Sequence, residues 1–547
     1  MASLVLGPVL RHVASTTATV WVETDAPAAV GVLGSTARTF QVAGHHYALV
    51  VVRDLAPGTR TEYTLDLDGE QAWPPPDHKF PPSRIRTPSD DEEIRIVAGS
   101  CRYASPRAVG TDDAMGADAL DALARRLADV PEQSRPHLLL LLGDQVYADE
   151  LTEETRRAVE ARRNVRFGPG AQVADFEEYT WLYHESWQDP EVRWLLSTVP
   201  TAMIFDDHDV HDDWNTSQSW REDMARTTWW PERIVGALQS YWVYQHLGNL
   251  SPAELDADAV YQALLRLGPG EDGEPILRDL ALRADAESEG VKGYRWSFRR
   301  DVGRVRVVVV DSRCGRLLEG DRRTMLSERD FSWFCEQVTA DVDHLVVGTS
   351  LPWLLAPALH DVEAWDERLA ADHRPRRARF GEKFRRAADL EHWAAFGESF
   401  SRLSETLRDV SLGRLGVPAP ATVSVLSGDV HHSYVAAAHW HDDEAGAPVV
   451  QVTCSPLHND VPRPMRLAFR LAWSRAAERS TRVVLGRFAS VPRPHMHWHR
   501  TAGPFFGNSV ATLRFDGRKA ALVMETSEEV GDEGPLRRIV AQDLATG

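Results

Sequence analysis

The chain has 547 residues, with 61 Lys and Arg against 81 Asp and Glu, and so a formal net charge of -20. This acidic balance argues against broad binding of nucleic acid or an anionic membrane through an electrostatic surface, because both partners are polyanions. No apolar run approaches the roughly 18 residues that a membrane helix needs. The length predicts two or more domains, since a domain typically holds roughly 100 to 200 residues.

The amino terminus and the cysteines indicate a compartment. The stretch Met1 to Pro8 has no basic segment ahead of its apolar residues, and Arg11 soon interrupts it. We therefore expect no signal peptide and a cytoplasmic protein. The four cysteines stand far apart, without the spacing of a disulfide framework or a zinc finger, which suits a reducing compartment. Oligomeric state is left open.

Residues 1–73 alternate apolar and polar side chains with the period of a β-strand. Ala18, Val20 and Val22 share one face of such a strand. The pattern predicts a small antiparallel β-sandwich domain. The proline-rich stretch 74–93 that follows predicts a linker and the domain boundary.

From residue 94 onwards, strand-like runs alternate with helical stretches, which predicts a layered α/β domain over residues 94–547. An amphipathic helix is expected at residues 118–130. Other helices are expected at residues 153–163, 176–187 and 231–246. A segment of about 361–410, rich in Arg, Glu and Trp, predicts a helical insertion, and Asp516-Gly517 predicts a hairpin turn.

Four apolar strand-like runs in the second domain end in Gly, Ser or acidic residues, followed by polar side chains suited to a metal ion. They precede Cys101, Asp144, Asp207 and Asp429. In open α/β sheets, ligands bind at the carboxyl ends of strands. Residues 206–213 also crowd five aspartates together, and such a set repels itself unless a multivalent cation or a shared proton neutralises it. Together the four strand ends predict one metal site.

The candidate ligands of this site combine thiol, phenol, carboxylate and imidazole groups. They are Cys101, Asp144, Tyr147, Asp207, Asp212, Asp429 and His431. So mixed and negative a set suits a highly charged cation or a pair of cations. Two metal ions roughly 3.5 to 4 Å apart could share one carboxylate, for which we choose Asp144, and generate hydroxide at neutral pH.

His208 is the candidate catalytic residue, since it stands between Asp207, a predicted ligand, and Asp209, which we expect to orient it. Our hypothesis is that its imidazole faces the leaving-group oxygen and donates a proton or stabilises the developing charge. Arg102 and Arg313 are candidates for binding the substrate, because a guanidinium is a planar fork of donors suited to phosphate oxygens. A surface salt bridge is the simpler alternative for each arginine.

One further histidine cluster stands outside these motifs. The stretch His495-Met496-His497-Trp498-His499 places histidines at alternate positions, as a zinc-binding face would. No apolar run and glycine accompany them. We interpret the stretch as an ordinary loop and leave the role of His495, His497 and His499 open.

Taken in order, the motifs resemble those of the alkaline phosphatase D (PhoD-like) family of the metallophosphatase (calcineurin-like phosphoesterase) superfamily. They are Gly99-Ser100-Cys101, Gly143-Asp144-Gln145-Val146-Tyr147, Asp206-Asp207-His208-Asp209, Asp311-Ser312-Arg313 and Ser427-Gly428-Asp429-Val430-His431. The resemblance spans roughly residues 94 to 460 and rests on the ordered set, because each motif alone is unspecific. Where family members often have Asn after the acidic-His motif, this chain has Asp212 and Asp213.

The resemblance implies a four-layer sandwich of two mixed sheets flanked by helices. It also implies hydrolysis of a small phosphomonoester or phosphodiester by metal-activated hydroxide. The implied centre is binuclear or multinuclear, Fe³⁺ with Ca²⁺, in which Cys101 and Tyr147 serve iron; Mn²⁺ and Zn²⁺ are alternatives. Two other functions stay open at this point: a non-catalytic binding protein stabilised by metal, and a metal-dependent peroxidase or oxidase.

Overall fold

The computed structural model of the protein describes residues 1–89, 92–104, 115–290, 293–318, 323–441, 445–489, 491–528 and 534–546. Within these ranges, no helix combines the length and the apolar character that crossing a membrane requires.

The amino-terminal region is a small all-β unit. Its strands β1 to β10 are Leu4–Val13, Ala18–Thr24, Ala29–Val32, Ser35–Arg38, Phe40–Val42, His45–Val52, Arg60–Glu62, Leu65–Leu67, Glu70–Trp73 and Arg84–Arg86. One antiparallel sheet has the order β1-β2-β6-β5 and the other β4-β3-β8-β9. Ala18, Val20 and Val22 are buried in the core of this unit, so the predicted all-β unit is confirmed. Strand β10, inside the predicted linker, pairs with β7; the boundary itself stays a prediction.

Two mixed sheets form the larger part of the protein. Their strands β11 to β23 are Ile94–Gly99, Leu138–Leu142, Thr201–Ile204, Phe298–Val302, Val305–Val310, His344–Thr349, Thr422–Ser427, Ser433–Trp440, Val449–Thr453, Met496–Phe505, Ser509–Asp516, Lys519–Ser527 and Leu536–Thr546. The six-stranded sheet has the order β13-β12-β11-β21-β22-β23. The seven-stranded sheet has the order β14-β15-β16-β17-β19-β18-β20.

Helices cover the outer faces of these sheets. Helices α1 to α15 are Ala119–Asp129, Glu153–Arg162, Phe176–Trp187, Pro190–Thr198, Gln218–Ala225, Trp230–Ser240, Pro252–Ala257, Ala259–Leu265, Glu274–Asp285, Glu328–Val338, Pro357–Ala370, Pro375–Ala387, Gly397–Ser411, Arg463–Ala472 and Arg475–Phe488. The expected helix at 231–246 is regular only to Ser240, and residues 241–246 form a π-helical turn. Helices α11, α12 and α13 occupy the stretch predicted as a helical insertion.

The two sheets pack face to face. A Cβ added to Gly348 of β16 would lie 3.1 Å from a methyl group of Leu142 in β12, closer than ordinary van der Waals contact, so glycine favours this close approach. All five leucines of β12 are buried, as expected for a strand covered on both faces. On the far side, Val347 shares a core with Leu403 and Leu407 of α13. The predicted order of helices, sheet, sheet and helices is confirmed.

The loop prediction was wrong for residues 496–499, because Met496 begins the edge strand β20; His495 precedes the strand. Alternation is itself the period of a strand. Met496 and Trp498 point inward and are buried, and the indole of Trp498 donates a hydrogen bond to the carbonyl of Leu355 at 2.7 Å. His497 and His499, at the alternate positions, lie on the exposed face of the strand.

The β-unit is joined to the larger domain through a buried carboxylate. The Glu23 side chain, 1% exposed, hydrogen-bonds with His184 at 2.9 Å, with the Tyr244 hydroxyl at 2.9 Å and with His45 at 3.1 Å. His45 in turn lies 2.8 Å from Glu177. Each oxygen of the buried Glu23 carboxylate therefore has at least one hydrogen-bond partner.

Candidate metal centre

The fold delivers the four motifs to one place. Strands β11, β12 and β13 are parallel neighbours, so their carboxyl ends meet at one edge of the first sheet. The amide of Cys101 donates to the carbonyl of Gly143 at 3.1 Å, which joins the first two loops. A Cβ on Gly428, at the end of β17 in the second sheet, would lie 2.1 Å from Ser100 Oγ. Glycine at 428 therefore allows the two sheets to meet at the site.

Four proposed ligands have backbones in the left-handed region. The φ angles are 55° at Cys101, 48° at Asp144, 69° at Asp429 and 48° at His431. A non-glycine residue held in a sparsely populated region costs on the order of 1 to 3 kcal/mol. Such strain persists where the surrounding structure imposes it, and it clusters at functional sites.

The first group at the centre offers sulfur, oxygen and nitrogen. One ligand atom each of Cys101, Asp144 and His431 lies within 4.8 Å of the other two. Burial, and then Asp144, raise the pKa of the Cys101 thiol well above its usual value. Burial, and then His208, lower the pKa of His431 to about 4, which leaves its imidazole neutral and able to bind a metal. Tyr147 is 4% exposed, and its hydroxyl accepts a hydrogen bond from Asn459 at 2.9 Å.

The second group consists of carboxylates. Asp144, Asp206 and Asp207 form one cluster of potential ligand atoms, and Asp207, Glu391 and Asp429 form another. Burial, and then the charge of Asp206, raise the pKa of Asp144 well above its usual value. Within the described ranges, Asp144 Oδ1 and Asp206 Oδ2 are buried without a hydrogen-bond partner. Asp144 and Asp206 belong to one cluster of potential ligand atoms, so the two unpartnered oxygens mark where this cluster lacks a donor or a cation.

Arg313 lies inside this cluster and is fully buried. Its guanidinium forms ion pairs with Asp206 and Glu391, and lies 3.1 Å from Asp207 and 3.2 Å from Asp429. This placement disagrees with the prediction that Arg313 binds substrate, since its nitrogens already serve four carboxylates. The strand end located the residue correctly, but the sequence did not reveal the carboxylates around it.

Arg102 also disagrees with the prediction of a substrate contact. Its side chain is 2% exposed, and its nitrogens lie 2.8 Å from Asp118 Oδ2 and 2.9 Å from the carbonyl of Ser186. Asp118 caps helix α1 by accepting from the amide of Leu120 at 2.7 Å. Arg102 therefore braces the start of α1 against α3.

The orientation of His208 comes from a residue that the sequence did not single out. Nδ1 of His208 lies 2.9 Å from Asp149, whereas its Nε2 is 4.0 Å from the exposed Asp212. Burial alone would lower the pKa of His208, but Asp149 and Asp207 raise it well above its usual value. The expectation that Asp209 orients this histidine was wrong. Asp209 instead accepts backbone N–H groups, among them that of Asp144 at 3.0 Å.

Several further acidic residues surround the centre. Asp207, His208 and Asp212 form another group with ligand atoms close together, although the Asp212 side chain is 62% exposed. Asp213, Asp389 and Glu391 form one more such group. The pKa of Asp212 rises to about 7, through burial first and then Asp207. On its exposed side, the centre thus gathers carboxylates that disfavour one another's ionisation.

The sequence-based prediction missed a set of positioning residues in the segment between α11 and α13. Asp429 Oδ2 lies 2.9 Å from His392, and His392 lies 2.6 Å from Glu363 of α11. Arg316 contacts Glu391 at 3.2 Å. No strand or glycine precedes Glu391 or His392, so the pattern that located the other residues did not mark these.

The donor set fits two kinds of cation. Thiol, imidazole and carboxylate suit a transition ion such as iron or zinc. The all-oxygen group of Asp207, Glu391 and Asp429 suits a hard cation such as Ca²⁺ or Mn²⁺. Asp144 shares one group with Cys101 and another with Asp207, so it stands where a bridging ligand would. The unpartnered oxygens of Asp144 and Asp206 are the places at which a cation would offset the most charge.

Fold and site together are typical of metallophosphatases, and comparison with known proteins gives the family. Residues 121–487, more than half of the chain, match the model of PhoD-like phosphatases, and the chain belongs to this family. Residues 1–85 match the model of a domain of unknown function, DUF7800. No match is found among curated proteins.

Two solved structures resemble the chain. The structure of PhoD has 12% sequence identity and a TM-score of 0.54, and the match covers 98% of this chain and 92% of that one. The purple acid phosphatase PPD1 from yellow lupin (Lupinus luteus) seeds has 10% identity and a TM-score of 0.48, with coverage of 97% and 73%. The similarity to PhoD shows a shared fold.

Proposed function

We propose that this protein hydrolyses small phosphate esters in a metal-dependent reaction at the candidate metal centre. The observation that carries the proposal is the convergence of Cys101, Asp144 and His431 beside the oxygens of Asp206 and Asp207. A merely structural acidic cluster would pair its charges, whereas two of these buried oxygens have no partner in the described part of the chain. Family membership supports phosphate-ester chemistry at such a site.

The residues at the centre would form two sets of ligands, one for each of two cations. Cys101, Tyr147 and His431 with Asp144 would hold a transition ion, and we keep Fe³⁺ as the proposal. Asp207 with Asp429 would hold a hard cation, for which we keep Ca²⁺; Mn²⁺ and Zn²⁺ are the alternatives. Bound cations would supply Lewis acidity toward the phosphoryl group and activation of the attacking water.

Glu391 extends the second set, and Asp212 stands at its solvent side. Glu391 contributes to the same ligand group as Asp207, and Arg313 and Arg316 hold its carboxylate in place. The exposed carboxylate of Asp212 would complete a site only when the substrate side is occupied. We therefore propose Asp212 as the weakest of the predicted ligands.

His208 is the proposed proton donor to the leaving group. Its imidazole is 18% exposed, so it lies at the surface of the centre where an ester substituent would extend. Asp149 accepts from its Nδ1, which fixes the ring and directs Nε2 toward the exposed side. The raised pKa keeps a proton on the imidazole at neutral pH, as general acid catalysis requires.

The test is chelation followed by reconstitution. The purified protein is stripped with a chelator, and hydrolysis of aryl phosphate monoesters and diesters is then measured with Fe³⁺, Ca²⁺, Mn²⁺ and Zn²⁺, singly and in pairs. We expect activity to disappear on stripping and to return with a transition ion together with a hard cation. Activity that persists in fully stripped protein contradicts the proposal.

The same experiment separates the two alternatives. A non-catalytic binding protein would take up metal and gain thermal stability without hydrolysing any ester. A peroxidase or oxidase would turn over hydrogen peroxide or oxygen with a reducing substrate and leave the esters intact. The relative rates on monoesters and diesters then give the preferred substrate class.

A further inference from the structure

Histidines of two neighbouring strands share one exposed face at the edge of the second sheet. Strands β18 and β20 pair antiparallel, with His439 directly opposite His497 and Ala437 opposite His499. His497 and His499 alternate with buried Met496 and Trp498, so both imidazoles lie on the outer face. His441 follows two residues after His439 and is exposed as well.

The imidazole rings of this face lie against one another. The ring centroids of His439 and His497 are 5.3 Å apart, those of His439 and His499 are 5.0 Å apart, and those of His441 and His497 are 5.4 Å apart. Within the described ranges, no hydrogen bond or ion pair engages any of these four rings. Their nitrogens are free for a ligand from solvent.

Four neighbouring imidazoles could bind one metal ion if their nitrogens come close enough together. Side chains directly opposite on antiparallel strands have Cβ atoms about 4.5 to 5.5 Å apart. Two nitrogens on one tetrahedral ion are separated by roughly 3.3 Å, given metal–nitrogen bonds of about 2.0 to 2.1 Å. The exposed side chains would have to rotate about their χ1 and χ2 bonds to bring their nitrogens to this separation. Partial burial, and then His499 and His497, lower the pKa of His439, which favours the neutral imidazole that binds metal.

We propose that His439, His441, His497 and His499, here called the histidine ladder, form a second metal site for a divalent transition ion of the zinc, copper and nickel class. Imidazole suits these ions, whereas Ca²⁺ and Mg²⁺ require oxygen ligands. Among the residues that the structure describes, no carboxylate forms an ion pair with these four histidines. The site therefore selects a different class of cation from the acidic part of the catalytic centre.

The histidine ladder is separate from that centre. Strand β18 starts at Ser433, directly after His431 and His432, and His439 lies six residues further along it. At about 3.3 Å per residue, this separates the ladder from the start of the strand by roughly 20 Å. A metal ion bound to the ladder would therefore act on the fold and not on the phosphoryl group.

An ion bound by the ladder would join β20 to β18. Strand β20 is the edge strand of the seven-stranded sheet, so it pairs with one neighbour only. Ligands from both strands would hold that edge in register, and an ion that binds the folded state alone stabilises it by mass action. The site would thus make the stability of the second sheet depend on transition-metal supply.

The experiment titrates Zn²⁺ into metal-loaded holoenzyme and compares the wild type with His439→Asn/His497→Asn. The matched control is His373→Asn, because the side chain of His373 is 84% exposed and stands outside the ladder. We expect one additional Zn²⁺ site in the wild type and the control, and at least about tenfold weaker binding in the double variant. Added Zn²⁺ should raise the melting temperature of the wild type and of His373→Asn, but not that of the double variant.

A spectroscopic readout identifies the ligands. Cu²⁺ bound to the ladder should show nitrogen hyperfine splitting from two or more imidazoles by electron paramagnetic resonance, and the double variant should lose that signal. Phosphate-ester hydrolysis by the double variant should equal that of the wild type, which verifies its folding. Equal Zn²⁺ affinity in wild type and double variant, binding only above about 1 mM, or a signal from a single imidazole would each overturn the proposal.

Discussion

Two buried carboxylates show how differently this chain treats negative charge. Glu23, at the joint between the β-unit and the larger domain, hydrogen-bonds with three side chains. Burial alone would raise the pKa of Glu23, but His184 and His45 lower it. Asp144 is equally buried, yet burial and Asp206 both raise its pKa. Burial alone therefore does not separate Glu23, whose histidine neighbours lower its pKa, from Asp144, a proposed ligand whose carboxylate neighbour raises it.

The arginine at the centre does not remove this difference. The Arg313 guanidinium is shared among four carboxylates, and Arg316 and His392 pair with two of these. Asp144 Oδ1 and Asp206 Oδ2 nevertheless have no hydrogen-bond partner in the described part of the chain. At the joint, by contrast, side chains of the protein itself hydrogen-bond with Glu23. We propose that the centre, unlike the joint, is completed by a bound cation.

The largest expected effect comes from neutralising the carboxylate common to two ligand groups. Asp144→Asn should lower phosphate-ester hydrolysis roughly 10⁴-fold or more, because metal ions contribute several kcal/mol of transition-state stabilisation. Kinetics and metal analysis of the same preparation check this. Asp256→Asn is the control, since the Asp256 side chain is 71% exposed at the surface.

The same substitution has the opposite effect on the metal-free protein. Removing one charge from a repelling cluster should raise the melting temperature of stripped Asp144→Asn above that of stripped wild type. A lower melting temperature in the variant would show that the cluster is already neutralised by internal protons or partners.

A smaller effect is expected from the proposed proton donor. His208→Ala should lower kcat by about 10² to 10⁴, the usual contribution of general acid catalysis. Metal content should remain unchanged, and esters of acidic phenols should lose less activity than alkyl esters, because their leaving groups need no proton. Equal losses on both substrates with intact metal would remove the role of proton donor.

Substitution at the joint should change the stability of the protein and not its rate of hydrolysis. Glu23→Gln removes the charge that faces His45 and His184, although His45 keeps Glu177, and should lower the free energy of unfolding by about 2 to 3 kcal/mol. Urea unfolding measures the change, with Asp256→Asn again as control. Unchanged stability in Glu23→Gln would contradict the claim that the hydrogen bonds of Glu23 stabilise the joint.

The smallest effect is a pH dependence of the joint. Burial alone would lower the pKa of His45, but hydrogen bonds with Glu177 and Glu23 raise it to about 9, against about 6.5 in the unfolded chain. Because the folded pKa is the higher one, this contribution is fully present below pH 6.5 and is lost as pH rises through 9. Stability measured from pH 6 to pH 9.5 should fall less in His45→Asn than in the wild type.

Local pattern was enough to predict the architecture and most of the centre. Each strand end carries its own signal, an apolar run followed by polar side chains, and parallel neighbours bring such ends together without further information. The positions of Cys101, Asp144, Asp207 and His431 follow from that rule. The N-terminal β-unit follows equally from alternation.

The rest depends on tertiary contacts that no local pattern records. Glu391 and His392 reach the centre from a loop of the helical segment, and Asp149 orients His208 from 59 residues away. Arg102 and Arg313 stand at the expected strand ends, but which carboxylates surround them depends on the packing of α1 and of the helical segment. The local sequence therefore predicts the positions of these residues, but not the side chains that contact them.

The most direct measurement is anomalous X-ray diffraction from crystals of the active, metal-loaded protein. We predict a transition-metal peak within about 2 to 2.5 Å of Cys101 Sγ, the Asp144 carboxylate and a ring nitrogen of His431. A second cation should lie among Asp207, Glu391 and Asp429. Crystals of hydrolytically active protein with no metal peak at Cys101, Asp144 and His431 would contradict the account.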